Sequence, residues 1–183
     1  MKKLKHVIFF TVAVFAFSLI YFIYAYNTGQ QSENEETFFT EIGEVFGGLA
    51  LGTLAVIYGR TVLKLALGKG RLTQRIIPEV YTDLALPLFK KVLQILNKTH
   101  LYVGVAAIAT ISLHVAFMGL FDQNLLLILV FILVLWQGLF GFFISWRYSP
   151  RTLRKAAYLV HAQFLSGIAI GIFSFFGHLL LKD

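Results

Sequence analysis

Apolar stretches long enough to cross a bilayer leave this chain few choices of fold. Five runs are dominated by apolar residues: Val7 to Tyr26, Ile42 to Leu67, Thr99 to Phe121, Leu125 to Trp146 and Ala156 to Leu181. A helix needs about 20 such residues to span a hydrocarbon core of roughly 30 Å. In that medium each backbone N–H and C=O must find its partner within the segment, which selects helices. With 58% of the 183 residues hydrophobic and only 14% charged, little remains to build a soluble domain. The expected fold is all-α: an integral membrane bundle of about five transmembrane helices, with residues 1–183 as one domain.

The segments between the runs set the expected orientation. Lys2, Lys3 and Lys5 precede the first run, which is longer than the ~7–15 residues of a signal-peptide core and is read as a retained helix. Residues 27–40 are polar and acidic, with Glu33, Glu35 and Glu36. A basic connector follows the second run, with Lys69, Arg71, Arg75, Lys90, Lys91 and Lys98. Within it, Val80 to Leu96 reads as an amphipathic helix on the cytoplasmic interface, interrupted near Pro87. Residues 122–124 form a short turn, and 147–155 are strongly basic again. Lys and Arg bias places the N-terminus and the basic loops in the cytoplasm and the C-terminus outside, in a prokaryotic cytoplasmic membrane. The net charge of +7 thus resides in topology-setting loops. It forms no basic stripe interleaved with aromatics, so lipid and not nucleic acid is the expected partner.

Cysteine is absent, which excludes thiolate metal sites and covalent haem attachment through Cys-x-x-Cys-His. Attention passes to the five histidines. His6 lies among the N-terminal lysines and reads as interfacial. His100 and His114 share the third run; His161 and His178 share the fifth. One histidine in a membrane helix is most simply an interhelical hydrogen-bonding residue; four on two helices ask for more. The 14-residue step from His100 to His114 is ~21 Å of rise and leaves both within roughly 40° of one face. The third and fifth runs are parallel. Counted from their outer ends, His114 matches His178 in height, and His100 matches His161. Two imidazoles at one depth on facing helices are the axial ligand set of a bis-histidine haem. The 17-residue step from His161 to His178 leaves them about 100° out of register on an ideal helix. A bend at Gly167, Gly171 or Gly177 would restore the pairing; without it, one haem is expected.

His100-x13-His114 followed two helices later by His161 and His178 resembles the ferric-reductase-like transmembrane family and related di-haem membrane cytochromes b, over roughly residues 42–181. That family has six spans where five are read here, and a narrower second pair. The resemblance implies a cytochrome b domain with two b-type haems, one near each leaflet, that transfers electrons across the membrane. Arg60, Arg147 and Arg154 are candidate partners of the haem propionates, alongside a snorkelling role. Two other readings stand beside it. One is a haem-bearing anchor or quinone-reactive subunit of a larger oxidoreductase, with quinone, a redox protein or further copies as partners. The other is a metal transporter using the same histidines.

Overall fold

The computed structural model describes residues 2–29, 32–33, 37–66, 82–119, 124–161 and 164–182. Among these, six helices and one pair of very short strands follow in chain order: α1 (Lys2–Asn27), β1 (Ser32–Glu33), α2 (Phe38–Ala66), α3 (Thr82–Met118), α4 (Leu125–Ser145), α5 (Arg151–His161), α6 (Phe164–His178) and β2 (Leu181–Lys182). Four helices are long and apolar enough to cross a membrane by themselves. They run over Lys5–Asn27, Phe38–Lys64, Pro87–Met118 and Leu125–Ser145. A fifth crossing is available if α5 and α6 count together.

Local chemistry explains most of the boundaries. Gly119, with φ +80°, follows α3 in the left-handed conformation that ends helices cheaply only at glycine. Asn124 caps α4, its side-chain oxygen accepting from the Leu127 N–H at 3.3 Å. Within the spans, Thr11 and Ser18 donate to the carbonyls of Val7 and Val14 one turn back, so an apolar helix carries a hydroxyl without an unmet donor.

Two expectations change. The amphipathic stretch from Val80 to Leu96 is no separate interfacial helix, because it continues into the third span as the 37-residue α3. Pro87 is tolerated there because it lies in the second turn, where its missing N–H forfeits only one bond, to the carbonyl of residue 83. The single fifth span expected over 156–181 is two helices, α5 and α6, whose axes differ by 47°. Lys69, Arg71, Arg75, Asp122, Gln123 and Gln163 lie outside the described residues.

The chain divides into two compact units, Met1–Gly47 with Ile111–Asp183, and Gly48–Thr110. In the first, α4 packs on both α5 and α6, and α1 packs on α6. Its core combines Leu126, Ile170 and Leu180 with small residues, Ala25, Ala157, Ala169 and Ser18, which let helices approach closely where lipid offers no hydrophobic drive to associate. Phe176 fills the gap between α1 and α6, with ring centroids 5.3 Å from Phe15 and 5.9 Å from Phe22. The polypeptide is inverted relative to a soluble one: Phe9 is 76% exposed and Ile20 68%, a surface suited to acyl chains. In the second unit Ala50 and Ala107 are buried, and Arg60 Nε donates to Asn97 Oδ1 at 2.8 Å.

Candidate functional site

The first unit brings together His114, near the end of α3, and His178, the last residue of α6. Their ring centroids are 6.4 Å apart and their planes differ by 13°. Direct face-to-face contact between parallel rings would need a shorter separation. A metal–imidazole bond is about 2 Å and a ring nitrogen lies about 1.1 Å from its ring centre, so two imidazoles on opposite sides of one metal would have centroids ~6.2 Å apart. The observed 6.4 Å is of that length.

Each ring is held in one orientation. His114 Nδ1 lies 2.8 Å from the Gly43 carbonyl on α2, and His178 Nδ1 lies 2.8 Å from the Ser174 carbonyl one turn back on α6. A carbonyl only accepts, so both Nδ1 atoms carry the proton and both Nε2 atoms keep a lone pair. Metal-ligating histidines are commonly oriented in this way, by a hydrogen bond from the other ring nitrogen. Neither Nε2 has a hydrogen-bond partner among the described residues.

The surroundings are built to this end. A Cβ on Gly47 would sit 2.9 Å from His114 Cε1, and one on Gly43 would sit 3.3 Å from Phe117 Cβ. Only glycine lets α2 and α3 meet this closely. Phe117 stacks between Phe39 and Phe46, at 6.3 Å and 5.8 Å. On the other side, Asn124 is buried and donates from Nδ2 to the Gly177 carbonyl at 2.8 Å. This pins the start of α4 to the residue before His178.

His161, the last residue of α5, repeats the arrangement. Its Nδ1 lies 2.9 Å from the Gln137 carbonyl on α4, and a Cβ on Gly141 would sit 3.1 Å from its Cε1. The Gln137 amide donates to Ser166 Oγ at 2.7 Å, linking α4 to α6. His100 is half-buried on α3 and belongs to the second unit, whereas His161 belongs to the first. His6 is exposed on α1.

Gly167, Gly171 and Gly177 all lie inside α6, and α5, which ends at His161, differs in axis from α6 by 47°. The two histidines therefore do not share one helix axis. Of the three arginines, Arg154 Nη2 donates to the carbonyls of Trp146, Arg147 and Ser149 at 3.2–3.4 Å, closing the turn between α4 and α5. Arg147 is exposed in that turn.

Among the described residues, no three His, Cys, Asp or Glu side chains gather as a metal-ion cluster would require. The chain matches no family model, no curated protein and no solved structure.

Sequence reasoning found the four histidines but missed Gly43, Gly47, Gln137, Gly141 and Asn124 as their supports.

Proposed function

We propose that the chain is a membrane cytochrome b that carries electrons across a bilayer through two b-type haems. His114 and His178 would ligate one, near the outer leaflet; the sequence assigns His100 and His161 to the other, near the cytoplasmic leaflet. The observation that carries the reading is the His114–His178 pair, with near-parallel rings 6.4 Å apart and each Nδ1 on a backbone carbonyl. Its Nε2 lone pairs are what an iron needs above and below its macrocycle.

Haem, when bound, supplies reversible one-electron chemistry at the iron. The chain's own residues hold and insulate. The carbonyls of Gly43 and Ser174 each accept from an Nδ1–H and hold the two imidazoles in one orientation. Aromatic and aliphatic side chains around His114, Phe117 among them, lower the local dielectric, which is one lever on the iron's potential. Arg60 and Arg154 each place one guanidinium nitrogen on protein oxygens. Their other N–H groups, with exposed Arg147, suit haem propionates. The two histidine levels are ~21 Å apart along α3, a separation that the width of two macrocycles shortens to an electron-transfer distance. A quinol, or a redox protein in a larger complex, would supply or take the electrons at either face.

A reduced-minus-oxidised visible spectrum of the purified chain, with haem quantified per polypeptide, tests this. Split b-type bands and about two haems per chain are expected. A colourless preparation from haem-replete cells would overturn the assignment, and transport of a divalent ion by that preparation would favour the metal-transporter reading.

A further inference from the structure

His114 and His161 lie on different helices and face different neighbours, yet both rest on the same small piece of backbone. Each imidazole Nδ1 meets a carbonyl on the adjacent helix, Gly43 at 2.8 Å and Gln137 at 2.9 Å. In each case the residue four positions further along that helix is a glycine lying against the ring: Gly47 and Gly141. The coincidence has a mechanism. In an α-helix the Cα–Cβ bonds lean toward the N-terminus, so a side chain at position n+4 covers the carbonyl of residue n. That carbonyl already accepts from the N–H of n+4, but its second lone pair is available if nothing stands over it. A glycine at n+4 removes the cover. The second lone pair then receives the imidazole N–H, and the ring occupies the volume a Cβ would have filled.

We infer that Gly47 and Gly141 are positioning residues for two axial imidazoles, each opening a helix carbonyl that fixes the Nδ1–H tautomer and turns Nε2 to the iron. This rests on the haem reading and adds to it. It assigns His161 to the same ligand class as His114 through its support, and it makes the two sites separately addressable. The glycines differ in tightness. A Cβ at Gly47 would stand 2.9 Å from Cε1 and 3.0 Å from Nδ1 of His114, which forces the ring to move. At Gly141 the nearest ring atom of His161 is at 3.1 Å and Nδ1 at 3.4 Å, so a shift of a few tenths of an ångström relieves the contact.

The test compares purified full-length wild type, Gly47→Ala and Gly141→Ala by haem content, redox titration and electron paramagnetic resonance of the oxidised protein. Gly47→Ala is expected to weaken the His114–His178 haem 10–100-fold, the usual effect of losing a ligand's orienting partner, while the other haem keeps its potential and line shape. Gly141→Ala is expected to keep both haems and shift the potential of the other one alone. Solid-state NMR of ¹⁵N-histidine-labelled apoprotein gives a readout independent of haem: Gly47→Ala should take one histidine out of the Nδ1–H form seen in the wild type. If wild type holds two haems and Gly47→Ala leaves both potentials and the tautomer unchanged, the inference falls and the cytochrome reading stands. Equal loss of both haems in either variant would likewise overturn it, as a general packing effect. If the wild type holds no haem, both readings fail together.

Discussion

His114 and His178 come from helices far apart in the chain, and under the proposed reading both would ligate one haem, so replacing either with alanine would remove the same one. His114→Ala and His178→Ala are each expected to lower haem content from about two per chain to about one, and the double variant should be no worse than either single one. The pyridine haemochrome assay decides this; additive losses in the double variant would mean that the two rings serve different irons. Asn124 acts one step removed. Its amide donates to the carbonyl beside His178, in a buried position where an unmet acceptor costs roughly 1–3 kcal/mol. Asn124→Leu is expected to lower the thermal midpoint of the purified protein and to shift the potential of the His178 site while sparing the other.

The contact of α4 with α6 makes an equally direct prediction at the level of elements. A Cβ at Gly177 would lie 2.7 Å from Leu127 Cδ2 and 3.4 Å from Asn124 Oδ1, so Gly177→Ala should push the end of α6 away from α4. Truncating the obstacle should undo this. Gly177→Ala alone is expected to destabilise by about 1–3 kcal/mol, as overpacking does. Gly177→Ala with Leu127→Ala should recover part of that loss, measured as a coupling in a double-mutant cycle. The five apolar runs were readable because a bilayer imposes both length and composition, and the structure keeps their number and order. The division of the last run into α5 and α6 was not readable. The residues around it, Tyr158 to Gly167, are apolar or small apart from His161 and Gln163 and carry no proline, and hydropathy is blind to a change of axis. The separate amphipathic helix before the third run was a misreading of the opposite kind: Pro87 was taken as a break, although near a helix start a proline costs little. The histidine pairing at His114 and His178 followed from counting residues. Its supports, Gly43 and Gly47, did not, because a carbonyl's free lone pair leaves no trace in composition.

For the molecule as a whole, the distribution of Lys and Arg predicts that the turn after α1 and the turn before α5 face opposite sides of the membrane. The absence of native cysteine makes this simple to measure. In intact cells, a cysteine introduced at Thr28 should react with an impermeant maleimide, and one at Tyr148 only after permeabilisation; the reverse pattern would invert the topology. β1 and β2 constrain the path of the chain between residues 33 and 181. Ser32 pairs with Leu181 and Glu33 with Lys182 in a parallel bridge, and backbone groups bonded to one another cannot lie on opposite sides of a hydrocarbon layer. The number of traverses between residues 33 and 181 must then be even. If α2, α3 and α4 each cross once, then among the described residues the bent α5–α6 pair would supply the fourth traverse, and a hairpin that dips in and returns to the side it left would break the parity.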